Sequence, residues 1–461
     1  MPADKVASSG KWKNRFRRFL IGVGILVTLT LVVQTVRIKL ARAALDRSLA
    51  EIERAGEPTH VEDAFMPPVD AAANRVSLWR DAHAHLQQMN ADGSYSIADL
   101  IDSDVPLSAE HAKEAHDIVQ ANAETIAGIH AAIASPYPCI WSLDGKSAAW
   151  LQASGNLTHA RELVELLCVA ALDAHTRNDD GAAASLLMEV DTVRKDFGAS
   201  PGYFGSVIGY GNEERLAATA SHIAADWNRS ATKGTLSKLP AAAIRLIIAS
   251  LLDDTTRADD LHRAQLAQRV IDADQPLSLI GLGLTRSGTN PPLGNGFTGL
   301  RVVLLPNALN TAADFLRYDT EAIHASGGDN WTEASRKLGA LDPVHGFLSF
   351  GGATAWPLWL KATFKDRATR HLSAVALAIT LSVNEHHGEF PRSLDELTPR
   401  YIASIPKDPM TSGTPLQYKP GSAPSVYSVG LDGKDDGGED EESGAGARPE
   451  PKDIVIHLLP R

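Results

Sequence analysis

The stretch LTHARELVELLCVAALDAHTR, residues 157–177, decides the fold class of this chain. Its apolar side chains recur every three or four positions, which is the spacing of one face of an α-helix. They include Leu163, Leu166, Leu167, Ala170 and Ala171. The polar run Asn178-Asp179-Asp180-Gly181 breaks the pattern, and residues 182–197 resume it. Two helices around a polar turn that ends in glycine predict an αα-hairpin.

Helical patterns of this kind extend outward from the hairpin across residues 41–340. They predict further helices at about 41–54, 74–89, 108–132, 212–228, 239–254, 258–273, 300–325 and 331–338. The hairpin resembles those of tetratricopeptide-type repeats, but no 34-residue period is present. We therefore expect a mainly α domain, built either as an irregular stack of helical hairpins or as a compact bundle. A loop rich in glycine, residues 341–356, is expected to end this domain as a linker.

The N-terminal part of the chain predicts a membrane anchor. Residues 19–36, FLIGVGILVTLTLVVQTV, carry no charge and would span about 27 Å as a helix. The helix predicted at 41–54 is expected to stack on this membrane helix. Five basic residues at 11–18 outnumber Arg37, Lys39 and Arg42 on the other side. The positive-inside rule therefore predicts that residues 1–18 are cytoplasmic and that the chain after about residue 40 is extracytoplasmic.

The alternatives to this single-pass anchor in the cell membrane are a buried core helix, which would seldom begin with five basic residues in eight, and a cleaved signal peptide. Ala41-Arg42-Ala43 offers small residues at the spacing of a cleavage site. This site lies well beyond the apolar core and behind basic residues, which is a poor position for cleavage. We therefore favour an uncleaved anchor whose partner is the lipid bilayer.

Composition excludes several classes of protein. The 461 residues carry a formal net charge of −12 and contain two cysteines. A disulfide scaffold is excluded, and nucleic acid is not an expected partner because phosphate binding needs a concentrated basic face. The acidity is concentrated at residues 432–453, which hold nine acidic and three basic side chains.

A search for catalytic motifs finds no enzyme signature. The sequence contains no H-E-x-x-H and no G-x-S-x-G, and its histidines lack the spacing of a metal site. Cys168 lies on the apolar face of its helix and is expected to be a core residue, whereas Cys139 lies in a loop next to Trp141. A disulfide between the two cysteines is permitted, and no base for a catalytic thiol is evident near Cys139.

The C-terminal part, residues 357–461, follows a different pattern. A helix at 371–387 stops at Gly388, and three short stretches alternate in the manner of strands: 416–419, 425–429 and 453–459. A helix followed by a small antiparallel sheet predicts an α+β unit.

Four motifs in this unit have the order of a known family. They are Gly388-Glu389-Phe390-Pro391, Pro406-Lys407-Asp408-Pro409, Tyr427-Ser428-Val429-Gly430-Leu431-Asp432-Gly433 and Asp453-Ile454. On these residues, about 90 of the 461, the tail resembles the C-terminal domain of the major pseudopilins of type II secretion systems. The whole chain also resembles uncharacterised membrane-anchored proteins of planctomycete-type bacteria. It departs from the pseudopilins at residues 10–25, which lack the prepilin-peptidase site and the Glu at the start of the membrane helix.

The pseudopilin resemblance implies that the acidic loop 432–453 binds calcium. Transferred position by position, Val429 and Lys434 would contribute backbone oxygens, and Asp432 and Asp453 would contribute carboxylates. Such oxygen ligands suit Ca²⁺. The family has a second acid where this chain has Lys452. Asp435, Asp436, Glu439 or Asp440 could supply that charge, and the alternative is a solvated flexible loop without a metal.

Together these patterns predict a membrane-anchored, extracytoplasmic and non-catalytic protein. Its helical domain would bind a protein partner or serve as a structural component of the bacterial envelope, and calcium would order its tail. The alternative is an envelope enzyme, a hydrolase, whose site in the helical domain has no recognisable motif.

Overall fold

The computed structural model describes residues 7–65, 69–87, 100–101, 105–142, 157–235, 238–286, 300–345, 352–439 and 452–460. Thirteen α-helices and three strands are assigned within these ranges, and the fold is mainly helical, as predicted. The helices are α1 Ala7–Arg54, α2 Val61–Ala64, α3 Arg75–Ala84, α4 Ala109–Ala121, α5 Ala123–Ala134, α6 Leu157–Thr176, α7 Asp180–Gly198, α8 Tyr203–Thr232, α9 Ala241–Leu251, α10 Asp254–Ser278, α11 Arg301–Ser326, α12 Trp331–Gly339 and α13 Gly352–Glu385. Single-turn 3₁₀ helices lie at Ala71–Ala73 and Leu394–Leu397.

The predicted hairpin is confirmed as α6 and α7, but its turn differs from the expectation. The left-handed residue of the turn is Asn178, with φ 62°, and not a glycine. Asp179 is the N-cap of α7, because its side chain accepts a hydrogen bond from the backbone N–H of Ala182. Gly181 therefore lies inside the helix. Asparagine tolerates this conformation because its short side chain bonds locally.

Helix α6 lies at the centre of the larger hydrophobic core. Its residues from Leu163 to Leu172 are almost all fully buried, so the helix is apolar around most of its circumference. It packs against α4, α7 and α8, and α8 in turn packs extensively against α13. This arrangement makes α8 and α13 the connection between the helical domain and the tail.

Helix α1 is one continuous helix from Ala7 to Arg54, in which the amphipathic stretch expected at 41–54 follows the apolar stretch without a break. Its apolar window near the N-terminus has no buried residue, and it is the one described helix long and apolar enough to cross a membrane. Beyond the window, Ala41, Leu45 and Ile52 are buried on one face, and α1 packs there against α11. Because α11 covers this stripe, α1 continues as a helix into the body of the protein.

Helix α13 begins at Gly352, inside the stretch expected to be a linker. Trp356 and Trp359 are almost fully buried, with ring centroids 5.0 Å apart, so packing orders a segment that contains Gly352 and Pro357. The same helix packs against α8, α9 and α12 and also against the sheet of the tail. Residues 346–351 of the predicted linker and 1–6 of the predicted basic flank lie outside the described residues.

The three predicted strands are confirmed as β1 Gln417–Lys419, β2 Ser425–Ser428 and β3 Ile454–His457. They form an antiparallel sheet of order β1-β2-β3, in which Val426 pairs with Tyr418 on one side and with Ile456 on the other. Strand β2 is buried throughout. The core of the tail is continuous with that of the helical domain, since Val426 and Leu458 belong to the same cluster as the residues of α6.

Candidate functional site

The acidic loop lies directly before β3, and Asp453 is the residue that joins them. Asp453 is completely buried. Its Oδ2 accepts a hydrogen bond of 2.8 Å from the backbone N–H of Gly438, but its Oδ1 has no hydrogen-bond partner among the residues that the structure describes. Burial raises the pKa of Asp453. Hydrogen bonding to the backbone of Gly438 and Asp436 lowers this pKa, whereas the negative charges of Asp436 and Asp435 raise it. A buried carboxylate oxygen without a donor is costly, and a cation would satisfy it.

Asp435 and Asp436 are two of the residues expected to supply the missing charge, and the structure brings them close to Asp453. Asp435 Oδ1 accepts hydrogen bonds from Tyr427 Oη at 3.2 Å and from the backbone N–H of Gly437 at 2.9 Å. Tyr427 is thereby held over the loop.

Of the other predicted ligands, Asp432 has a partner through its side chain, whereas Val429 has one through its backbone N–H and not through the backbone oxygen expected to bind calcium. Asp432 Oδ1 accepts a hydrogen bond of 3.1 Å from the backbone N–H of Lys434, which closes a local turn. The backbone N–H of Val429 donates to Asp408 at 3.0 Å. Within the described ranges, no group of three or more His, Cys, Asp or Glu side chains is arranged to hold a metal ion. Residues 440–451, including Asp440, lie outside those ranges.

Asp408 organises the end of β2, a role that the sequence did not indicate. It is buried, and its two oxygens accept hydrogen bonds from Ser428 Oγ and from the backbone N–H of Val429 and of Met410. The only available signal was its place in the Pro-x-Asp-Pro motif. Asp408 therefore fixes the point at which the chain leaves β2 for the acidic loop.

A cleft of about 430 Å³ runs between β3 and the helices α8 and α13. We call it the β3 cleft. All four residues of β3 line it, together with Leu459 and Pro460. Glu214 of α8 and Lys365 of α13 form an ion pair of 3.5 Å on its helical side. His222 and His457 also line the cleft, and burial lowers the pKa of His457.

Strand β3 is an edge strand of the described sheet. The backbone N–H of Leu458 donates to Pro424 at 2.9 Å, so Leu458, Ile456 and Ile454 direct their backbone groups towards β2. The intervening residues direct theirs to the outer edge. Accordingly, the N–H of Asp453 donates to Glu439 of the acidic loop, at 3.3 Å, and the next outward position is Val455. Among the described residues, Glu439 of the acidic loop thus covers the beginning of the outer edge of β3.

A second polar cluster lies among α7, α8, α10 and α13. The buried Arg194 pairs with Glu213 at 2.9 Å and with Asp191 at 3.1 Å, and Arg257 also pairs with Glu213. Burial opposes the charge of Asp191, but the cations Arg194 and Lys195 lower its pKa to about 2. The cavity here is only about 40 Å³. Since it has room for little more than one water molecule, this cluster fits a structural role.

Neither cysteine has the character of a nucleophile. The two thiols are not joined in a disulfide. Burial raises the pKa of Cys168 to about 12, and burial with the nearby charge of Asp196 raises the pKa of Cys139 even further. Because the thiolate is the reactive form, these environments oppose nucleophilic catalysis.

Comparisons of the chain with models of protein families, with curated proteins and with solved structures found no match. Its function must therefore be argued from the geometry of the tail, the cleft and the anchor.

Proposed function

We propose that this protein is a non-catalytic component of the bacterial envelope, anchored by one membrane helix with its N-terminus in the cytoplasm. In this proposal the extracytoplasmic tail is pseudopilin-like and binds calcium, and the β3 cleft binds an extended segment of a protein partner. The observation that carries the anchor is the exposure of α1. Its apolar window is wholly unburied, while the same helix is buried against α11 after Gln34.

Calcium fits the acidic loop because the buried Oδ1 of Asp453 has no hydrogen-bond donor among the described residues. Asp453, Asp435 and Asp436 are the described side chains that would hold the ion, with backbone oxygens of the loop. Bound calcium would supply positive charge beside carboxylates that otherwise repel one another. Since the raised pKa of Asp453 must be overcome, binding should release protons and strengthen as the pH rises.

Calorimetric titration of the full chain in detergent with CaCl₂ tests the metal. We expect a heat of binding that Asp453→Asn abolishes. Asp395→Asn, an exposed change of equal charge in the same tail, should leave it intact. Asp432→Ala distinguishes two possible ligand sets. It should abolish the heat of binding if the ligands are those transferred from the pseudopilins, and it should leave the heat intact if the ligands are Asp453, Asp435 and Asp436. No heat with the unmodified chain would remove calcium from the proposal.

The partner is argued from the edge of β3. An extended segment can add to a free strand edge through its backbone and place alternate side chains in the adjoining cleft. Val455 presents its N–H and C=O outward, and the cleft beside it is lined by apolar β3 side chains and by the Glu214–Lys365 pair. A partner segment with alternating apolar residues would satisfy both surfaces.

A photoreactive residue at Leu459, in native membranes, tests this docking site. We expect an adduct of defined mass, identified by mass spectrometry. Val455→Pro should abolish it, because proline removes an outward N–H and keeps the β2–β3 ladder intact. Val455→Thr keeps that N–H and should retain the adduct. An adduct that survives Val455→Pro would show that the strand edge is not the docking site.

The alternative function, an envelope hydrolase, would place its site in the same cleft. The observation that favours it is the pair of histidines, His222 and His457, in a cavity large enough for a small ligand. Against a serine mechanism, Ser221 Oγ lies 3.4 Å from Ser373 Oγ, and His222 Nδ1 is bonded to the backbone of Ile101. Hydrolysis of generic ester substrates that His457→Ala abolishes would favour this alternative.

A further inference from the structure

Three exposed apolar side chains lie at the start of α11. Leu300 is 53% exposed, Val302 is 64% exposed and Val303 is 63% exposed. Single exposed apolar residues are ordinary, but three within four positions form a patch that needs an explanation. Farther along the same helix, Pro306, Ala308 and Leu309 are buried in the core. The exposure is therefore confined to the first turn.

This first turn lies at the level where α1 leaves its apolar stretch. The side chain of Gln34 donates hydrogen bonds to the backbone oxygens of Val302, at 2.7 Å, and of Val303, at 3.2 Å. Arg37, the first charged residue after the apolar stretch, donates to Asn307 Oδ1 at 3.0 Å. The two helices thus run side by side in the same direction. Val302 and Val303 lie about one helical turn, roughly 5 Å, on the membrane side of that charge.

The hydrogen bond of Gln34 has a specific physical cause. In a regular helix the oxygen of Val302 would accept from the N–H of residue 306, but Pro306 has no N–H. The amide of Gln34 supplies the missing donor. Water would satisfy this oxygen at an aqueous surface, whereas a lipid environment offers no donor. A donor on the membrane helix itself is the arrangement that a lipid environment requires.

We propose that the first turn of α11, with Leu300, Val302 and Val303, inserts into the extracytoplasmic leaflet as a second membrane contact. The occupant is lipid because the exposed face of α1 at the same height, including Leu31 and Val33, is already covered by lipid in the proposed anchor. The patch continues that surface. Arg301, exposed between the apolar residues, can reach the headgroups with its long side chain. This inference rests on the proposed anchor.

The second contact would fix the orientation of the body relative to the membrane. A single spanning helix leaves rotation about its own axis unconstrained. Insertion of α11 beside α1 gives two points of contact, so the body can face the bilayer in only one way. The distance between the tail and the membrane surface is then also fixed.

Nitroxide spin labels on introduced cysteines test the proposal in the full chain, reconstituted in lipid nanodiscs. Val302→Cys is the reporter, and Val303→Cys is a second reporter in case the first perturbs packing. Leu246→Cys on α9 is the matched control, because Leu246 is an equally exposed apolar residue, at 58%. Leu26→Cys marks the middle of the anchor. Spin labelling of the unmodified chain measures the background signal from the native residues Cys139 and Cys168.

The readout is the accessibility of each label to oxygen, which concentrates in lipid, and to a water-soluble nickel chelate. We expect the labels at 302 and 26 to be oxygen-accessible and several-fold less accessible to nickel than the label at 246. A label at 302 that matches 246, with 26 still in lipid, would overturn the second contact and leave the anchor standing. A nickel-accessible label at 26 would overturn both.

Discussion

The buried pair Asp272–Asp319 should make this protein less stable as the pH rises. Asp272 on α10 and Asp319 on α11 lie in the core, where Asp272 Oδ1 accepts from Gln268 at 2.7 Å and Asp319 Oδ1 accepts from Trp356 Nε1 at 2.6 Å. Their other oxygens, Asp272 Oδ2 and Asp319 Oδ2, have no hydrogen-bond partner in the described part of the chain, and the charge of Asp272 raises the pKa of Asp319. Because two neighbouring buried carboxylates repel each other, we expect the pair to share a proton.

The sign of the effect follows from the pKa values. Burial raises the pKa of Asp272 to about 7, and burial together with the charge of Asp272 raises the pKa of Asp319 well above its ordinary value. In the unfolded state, aspartate has a pKa of about 3.9. Between these values the folded state binds more protons than the unfolded state, so the free energy of unfolding falls as the pH rises. One retained proton corresponds to about 1.4 kcal/mol per pH unit, or about 4 kcal/mol from pH 4 to pH 7.

Asp319→Asn replaces the shared proton by a permanent donor. The asparagine Oδ1 can still accept from Trp356, and its Nδ2 can donate to Asp272. We expect the variant to match the unmodified chain near pH 4.5 and to exceed it by about 3 kcal/mol near pH 7. Urea unfolding of the full chain in detergent, followed by tryptophan fluorescence across this pH range, measures the difference.

The control is Asp314→Asn on the same helix, where the side chain is 48% exposed and lies 3.8 Å from Arg317. Its stability profile should run parallel to that of the unmodified chain. Identical pH slopes for Asp319→Asn and the unmodified chain would refute the shared proton.

Three further predictions follow from single contacts. His175 lies 2.7 Å from Asp180 and 3.1 Å from Asp226; burial opposes its charge, but these hydrogen bonds raise its pKa to about 9. The stabilisation that the charged His175 provides is complete below about pH 6.5 and is lost as the pH rises through 9. In urea unfolding, His175→Gln should therefore cost about 3 kcal/mol at pH 6 and little at pH 10. The control His130→Gln, at a half-exposed position, should change the free energy of unfolding little. Gly430 has φ +68° and an added Cβ would lie 1.8 Å from the Lys452 oxygen, so Gly430→Ala should destabilise the tail by about 3 kcal/mol or more. Gly413→Ala, with φ +90° and open space, should cost about 1 kcal/mol, and equal protease resistance of the two variants would contradict the clash. Asn330 caps α12 through a 3.0 Å bond to the N–H of Glu333, so Asn330→Ala should cost about 1 kcal/mol, whereas Ser393→Ala, which removes no capping bond, should leave thermal unfolding unchanged.

Elements governed by local pattern were predictable, and elements governed by distant partners were not. The hairpin α6–α7 and the three strands follow from periodicity and turn residues. The packing partner of α1 beyond residue 40 is instead α11, which lies more than 250 residues away. The predicted helix at 108–132 is interrupted at Asn122, whose side chain bonds the backbone of Gln87. A partner of this kind leaves no local signal.

The candidate site was likewise predictable from the sequence only in part. Asp453 and its acidic neighbours follow from the motif order and the charge run of the tail. The β3 cleft requires α8, α13 and β3 to meet, although α8 ends more than 100 residues before α13 and α13 ends more than 60 residues before β3. The buried polar groups Asp272, Asp319 and Asp408 each appear in sequence as an ordinary surface residue. Their role arises only when packing removes water from them.

The positions of α11 and α12 connect the membrane contact with the tail. Helix α11 begins beside Gln34, and its 26 residues span about 39 Å. Helix α12 follows directly, and there the backbone N–H of Trp331 donates to Pro409 and its indole donates to Leu431, at 2.7 Å. Pro409 adjoins Asp408, and Leu431 opens the acidic loop. In the proposed membrane arrangement, these helices would hold the loop at a fixed distance from the bilayer. In the same proposed arrangement, calcium at this loop would order the edge of β3 away from the headgroups, where that edge could meet an extended segment of another protein but not lipid.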